Sequence, residues 1–445
     1  MKKTKIICTL GPSSCENKVI EKLIKNGMDI ARINFSHGTH ENNGKIIKKV
    51  KKISLTLKKN VSIMADLQGP KIRLGDFPDT KIKAKEKVIF TTESFDPKKK
   101  KFPIQYKELW KDLKEGDLIR IADGIFEFKV LKISNKEIHT TVLNGGIIKK
   151  NKGINCPTAS ISAHPLTKKD LKDLKYALGL GIDFVALSFV RRAKDILDLR
   201  KKINNKVKII SKIERHEAIK NLESIAKVSD ALMVARGDLG VEIDFFEVPI
   251  VQKEIIHLGN ILGKPVITAT QVFQSMTQNP VPTRAEVSDA ANAVFDFSDA
   301  VMLSDETASG KYPGRSCKHL CSVIKRAEKT KLFSHFLKNR IRERYIPEEN
   351  ALSLAACQVA EDTSANSIAI FSDKISVFNQ VLKHRPPQEI FCFAESEQTA
   401  KHLSLTWGAN KVFLGKEGAK KVLKNKKAVV LKSIDKNESL KIYKF

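Results

Sequence analysis

No apolar run in the 445 residues approaches the about 20 that a membrane-crossing helix needs. A membrane span is not expected. The amino terminus, MKKTKIICTLGPSS, has no hydrophobic leader ahead of its first predicted strand, and a cytoplasmic location is the expectation. Cysteine is sparse. Seven residues stand at 8, 15, 156, 317, 321, 357 and 392, with no CxxC pair and no histidines at zinc spacing, which argues against a disulfide framework or a zinc module. Cys317 and Cys321, four apart, are expected to share a packed helical face. Arginine is scarce too: 15 of the 80 basic residues, in a chain of formal net charge +30. The 65 lysines are spread along the chain, and the densest runs, such as Lys98 to Lys101, fall in expected loops. No aromatic-interleaved basic patch accompanies them, so a solvated surface that steers anionic substrates is expected, and not a nucleic-acid interface.

Apolar content is ample, at 42%, and the length suits two or three domains. KIICTLG (5 to 11), MDIARINFS (28 to 36) and SIMADLQG (62 to 69) read as strands, separated by helical patterns. From about Leu74 to Ala163 the pattern becomes short alternating segments with turn punctuation at Asp123-Gly124 and Asn144-Gly145-Gly146, an all-β insertion. Five more apolar runs follow: DFVALSFV (183 to 190), KIISKIE, ALMVARGD, PVITATQ (265 to 271) and DAVMLSDE (299 to 306). Eight strand and helix units predict a (β/α)8 barrel, whose site lies at the carboxyl ends of the strands. Residues 1–73 and 164–340 are assigned to it, 74–163 to an inserted β-barrel lid, and 349–445 to a shortened, open α/β domain.

The strand ends alone supply Arg32, Asn34, Ser36, Asp66, Ser188, Lys212, Glu214, Asp238, Thr270, Ser304 and Glu306. The stretch from Lys208 to Gly240 is the richest. A strand of period two sends Lys212 and Glu214 to one side, and ALMVA ends in Arg236, Gly237 and Asp238. Glu214 and Asp238 can hold a divalent cation between them, with Lys212 beside any anion it binds. A salt-bridged Lys212–Glu214 pair would explain those two residues but not the whole ring.

The motifs CTLGPSS, ARINFSHG, ADLQGPKIR, NKGIN, SKIERHEAI, MVARGDLGVEI, TATQVFQSM, NPVPTRAEVSDAANAV and DAVMLSDETASGKYP, in this order, make the chain resemble the pyruvate kinase family over about three quarters of its length. The resemblance implies phosphoryl transfer from phosphoenolpyruvate to ADP. Mg2+ or Mn2+ suits Glu214 and Asp238, since magnesium takes one or two protein carboxylates and completes its shell with substrate oxygens and water. Arg32 and Lys212 would face the transferred phosphate. Ala235, Arg236, Gly237, Asp238, Ser188 and Thr270 would line the substrate, with Thr270, Ser304 and Glu306 ordering a proton relay. Pro12, Asn34, His37, Arg73 and Lys152 match nucleotide-side residues. Most relatives hold K+ at positions matching Asn34, Ser36, Asp66 and the carbonyl of Leu67, and carry glutamate where this chain has Lys71; K+ is therefore not expected to be required. The effector turn of the family appears as FSDKIS (371 to 376), without glycine, so activation by fructose 1,6-bisphosphate is not expected. A homotetramer is implied, with a dimer as the alternative. A metal-dependent aldolase on the same barrel is disfavoured by the lid and the NPVPTRAEV stretch.

Overall fold

The structure is a computed structural model that describes residues 2–203, 207–334, 351–434 and 437–444. The expected boundary between barrel and carboxyl-terminal unit, and part of the KSIDKNES stretch, lie outside the described residues. In chain order the first strands are β1 (Lys5–Leu10), β2 (Ile30–Asn34) and β3 (Ser62–Asp66). The insertion contributes β4 (Thr80–Ile82), β5 (Lys87–Thr91), β6 (Lys101–Pro103), β7 (Leu118–Ile121), β8 (Phe126–Ser134), β9 (Glu137–Val142), β10 (Gly146–Ile148) and β11 (Ile154–Asn155). It also carries a short helix, Leu109–Asp112, which an all-β reading does not contain. Strands β12 (Phe184–Leu187), β13 (Lys208–Ile213), β14 (Ala231–Ala235), β15 (Val266–Ala269) and β16 (Ala300–Leu303) resume the first pattern.

All eight strands β1 to β3 and β12 to β16 are parallel and close into a barrel. Alternation along each strand then decides what faces inward. Ile209 and Ile213 of β13 pack outward against the helices, whereas Ile210 joins the interior cluster with Ile7, Ile30, Met64, Ala186, Met233 and Ile267. Lys212 shares the parity of Ile210, as Arg32 shares that of Ile30, Asp66 that of Met64 and Ser188 that of Ala186. The barrel is thus filled with apolar side chains below and with polar ones at its carboxyl end, a consequence of where along each strand the inward series changes character.

The lid strands form a six-stranded sheet, ordered β11-β7-β8-β9-β5-β6, with the ribbon β4-β10 beside it. It is tied to the barrel by Arg120 Nη1, which donates to the carbonyls of Val241 (2.9 Å) and Ile243 (3.2 Å), and by Asn155 Nδ2 to Glu242 Oε1 at 2.9 Å. The last unit places β17 (Ser367–Ser372), β18 (Glu389–Ala394), β19 (Lys411–Leu414), β20 (Lys427–Ile434) and β21 (Asn437–Lys444) in the order β19-β18-β17-β20-β21, with only β20–β21 antiparallel. It plugs the amino end of the barrel. Leu405 enters the interior cluster, and buried Arg385 reaches Asp299 (2.7 Å), Asn260 Oδ1 (2.8 Å) and the Phe297 carbonyl (2.8 Å).

None of the seven cysteines forms a disulfide, and Cys317 and Cys321 share the buried face of the helix Pro313–Ala327. Among the described residues no helix is long and apolar enough to cross a membrane.

Candidate active site

At the carboxyl end of the barrel the inward residues converge on Asp66. Its carboxylate, 1% exposed, accepts from Arg32 Nε at 2.7 Å and pairs with Arg32 Nη2 at 2.7 Å and with Lys212 Nζ at 3.2 Å. Lys212 Nζ also donates to Ser188 Oγ (2.7 Å) and lies 2.9 Å from Glu214 Oε1. Arg32 Nη1 donates to Thr9 Oγ1 at 2.8 Å, a residue that sequence reasoning missed although its parity on β1 matches Ile7. Burial alone would push the Lys212 ammonium down, but Asp66 and then Glu214 outweigh it, and its pKa lies above the usual lysine value. Burial likewise opposes the charge on Asp66, and Lys212 and Arg32 together overcome it, holding that carboxyl below its ordinary range.

Glu214 follows β13 directly and is fully buried. Its Oε2 accepts the Phe189 N–H at 2.7 Å, while Oε1 faces the Lys212 ammonium at 2.9 Å. Burial pushes its pKa up, Lys212 opposes this, and Asp238 adds to the rise. Asp238 lies in the first turn of the helix Arg236–Glu242, half-buried, with Lys71 Nζ at 3.5 Å. A buried carboxylate beside a second, half-buried one is an all-oxygen donor set that fits a hard divalent cation.

Several expected residues are placed differently from a simple ring. Arg236 turns its side chain away from the cations: Nη1 is bidentate to Asp289 (2.8 Å to each oxygen), while Nε and Nη2 donate to the Thr270 carbonyl (3.1 and 2.7 Å) and Nη2 to that of Gln271 (3.1 Å). Thr270 Oγ1 accepts the Gly237 N–H at 2.8 Å and donates to the Ala269 carbonyl at 2.6 Å. Glu306 is fully buried and ties two backbone amides, of Phe273 (2.9 Å) and Ser304 (2.6 Å), so it caps a turn; Ser304 Oγ has no hydrogen-bond partner. Burial pushes the Glu306 carboxyl up, against the pull of those amides.

Of the oxygens matching a monovalent-cation site, Asn34 Oδ1 accepts the Ser36 N–H (3.0 Å), the Leu67 carbonyl accepts from Ser188 Oγ (2.7 Å), and Asp66 is held by two cations. Pro12 opens the short 3-10 turn Pro12–Ser14 after β1, and His37 is exposed near the end of β2. Arg73 donates to the Asn151 carbonyl (3.0 Å), and the adjacent Lys152 is exposed on the lid. His216, Glu217 and Glu242 also cluster near the lid junction, where Arg215 pairs with both carboxylates (2.9 and 3.6 Å).

The family described as "Pyruvate kinase, barrel domain" matches residues 1–317, and "Pyruvate kinase, alpha/beta domain" matches 350–440. The chain is 41% identical over 429 residues to a pyruvate kinase of Staphylococcus saprophyticus, covering 94% of this chain and 73% of that one. It is 40% identical over 419 residues to that of Staphylococcus aureus (strain MRSA252), covering 93% and 72%. A crystal structure of a pyruvate kinase from Cryptosporidium parvum superposes with a TM-score of 0.93 at 32% identity, covering 100% of this chain and 96% of that one. With the family matched across both the barrel and the carboxyl-terminal unit, the chain belongs to the pyruvate kinase family of phosphotransferases.

Proposed function

We propose that this chain transfers the phosphoryl group of phosphoenolpyruvate to ADP, giving pyruvate and ATP, in the cytoplasm. The observation that carries the reading is the convergence of Arg32 and Lys212 on buried Asp66, beside buried Glu214, whose Oε1 also pairs with Lys212. Phosphoryl transfer asks chiefly for positioning and for neutralisation of charge spread over the phosphate oxygens. Two cations pre-aligned by one carboxylate need no reorganisation when that charge develops. Glu214 and Asp238 would hold Mg2+ (or Mn2+), which supplies Lewis-acid neutralisation of phosphate oxygens. Lys212 and Arg32 face the phosphoryl group, and Lys212 also stabilises the enolate left on the substrate. The backbone from Ala235 to Asp238 opens a helix and takes the substrate carboxylate on the amides that Thr270 does not hold, where Gly237, without a side chain, leaves room for close approach. Thr270, its hydroxyl engaged by Gly237 and Ala269, orders the water that protonates the methylene carbon. Pro12, Asn34, His37, Arg73 and Lys152 take the nucleotide from the barrel rim and the lid.

The commitment of Asn34, Asp66 and Leu67 oxygens to donors within the chain, with Lys71 beside Asp238, supports turnover without K+. The glycine-free turn at 371 to 376 supports a lack of response to fructose 1,6-bisphosphate. Phe245 and Phe246, 65% and 73% exposed, suit burial against further copies in a homotetramer, or in a dimer. The reading is tested by following phosphoenolpyruvate, ADP and Mg2+ by 31P NMR: ATP resonances should replace those of the substrates. Their failure to appear at any Mg2+ concentration would refute it.

A further inference from the structure

Thr270 and Gln271 adopt φ of +67° and +52°, two consecutive left-handed residues with neither a glycine nor an asparagine between them. A β-branched residue avoids this region, so something outside the turn must hold it there. The only side chain reaching both carbonyls, among the described residues, is that of Arg236, through three hydrogen bonds of 3.1, 2.7 and 3.1 Å. The guanidinium has one remaining edge, and Asp289 of the helix Arg284–Phe295 fills it with two bonds of 2.8 Å. Glu127, Asp244 and Glu286 line the same cleft but are engaged elsewhere, Glu127 by Arg120 (2.7 Å), Asp244 by the Phe246 N–H (3.1 Å) and Glu286 by the amides of Ser275 (2.7 Å) and Thr283 (2.8 Å), so Asp289 is the carboxylate that fixes Arg236.

We infer that Asp289 is a positioning residue for the proton-transfer half of the reaction: it fixes the Arg236 guanidinium, which holds Thr270 and Gln271 in the conformation that aims the Thr270 hydroxyl. The inference rests on the proposed function. In that half the enolate oxygen electrons re-form the C2 carbonyl, the C2=C3 electron pair takes one proton from the ordered water to give the methyl group of pyruvate, and the hydroxide left behind is reprotonated from bulk solvent. Asp289 touches neither substrate nor reacting atoms. Its effect is confined to the Thr270 side of the site, since Arg32, Lys212 and Glu214 have no contact with it.

The test uses the full chain and compares wild type with Asp289→Asn, Asp289→Glu, Arg236→Lys and the Arg236→Lys/Asp289→Asn double variant. Steady-state turnover gives kcat and KM for ADP. Exchange of pyruvate methyl protons with deuterated solvent, in the presence of Mg2+ and ATP, reads the proton-transfer half alone. Asp289→Asn should slow exchange and kcat at least tenfold with KM for ADP within twofold of wild type. Asp289→Glu should recover most of the loss, and the double variant should be no slower than Arg236→Lys alone, because both act through one link. Exchange within twofold of wild type in Asp289→Asn, or loss of exchange only in step with a rise in KM for ADP and a collapse of thermal stability, overturns the inference. Should Asp289→Asn fail to fold, Arg236→Lys carries the same expectations and the same refutation. A wild type that makes no pyruvate defeats the proposed function and this inference with it; an active wild type with an unaffected Asp289→Asn defeats this inference alone.

Discussion

Replacing Asp66 by asparagine keeps the shape of the side chain and removes the charge on which two cations rest. Arg32 and Lys212 would then share a buried amide that can accept hydrogen bonds through its oxygen alone, where the carboxylate now receives 2.7 Å contacts from Arg32 and one of 3.2 Å from Lys212. Leaving a buried charge without its partner costs about 3 to 5 kcal/mol. Because the amide oxygen still accepts a bond and Glu214 still faces Lys212, the low end, about 3 kcal/mol, is expected. For a unit the size of the barrel that corresponds to a Tm lower by about 6 to 12 °C. Catalysis should fall further than stability suggests. With Asp66 neutral, Lys212 swings toward Glu214 and the two cations lose the spacing that matches one phosphoryl group, so kcat should drop about 100-fold or more. Differential scanning calorimetry and coupled assay of pyruvate release measure the two effects on one preparation. A Tm within about 2 °C of wild type together with kcat within about threefold would refute the reasoning that Asp66 aligns the cations.

Lys71→Glu should make turnover respond to K+, since it replaces the ammonium beside Asp238 with a carboxylate; activity that stays indifferent to K+ in this variant would count against the role given to Lys71. Lys5 is fully buried against the Ala409 carbonyl and Asn410, and burial, opposed by Asp29, lowers its pKa from 10.5 to about 8. The unfolded chain therefore holds more protons between those pH values, and stability should rise with pH across them by on the order of 3 kcal/mol. Buried Lys3, lowered likewise to about 8, adds a rise over the same pH range, so Lys5→Met should make the rise in the denaturation midpoint clearly smaller without removing it; a rise as large as that of wild type would be inconsistent with the assignment. Fructose 1,6-bisphosphate at micromolar concentration should leave the phosphoenolpyruvate saturation curve unmoved, and a leftward shift would show that the turn at 371 to 376 binds it despite lacking glycine.

The barrel was legible because its strands are buried on both faces and read as apolar runs, and because polar residues cluster where those runs end. The strands nevertheless stop earlier than the runs suggest. β12 ends at Leu187 and β15 at Ala269, so that Ser188 and Thr270 stand just past the ladder, where backbone geometry is free to vary. Arg32, Asp66, Lys212 and Glu214 could be grouped from parity alone, since alternation on a strand is fixed by the pleat. The orientation of Arg236 could not. A strand-end arginine beside Gly237 reads as a substrate ligand, and its partner Asp289 lies 53 positions away on a helix face that no periodicity marks as functional. The amide contacts of Glu306 could not be read either, because a carboxylate at a strand end looks the same in sequence whether it meets a substrate or caps two amides.

The most direct test of the central claim, that Lys212 and Arg32 aligned on Asp66 carry phosphoryl transfer without a monovalent cation, is pyruvate formation from phosphoenolpyruvate and ADP with Mg2+, with and without K+, in wild type and Lys212→Met. The account predicts wild-type turnover that is the same in both salts and that falls about 1000-fold or more in the variant while substrate still binds. Turnover that needs K+, or a Lys212→Met enzyme that retains it, would contradict the account.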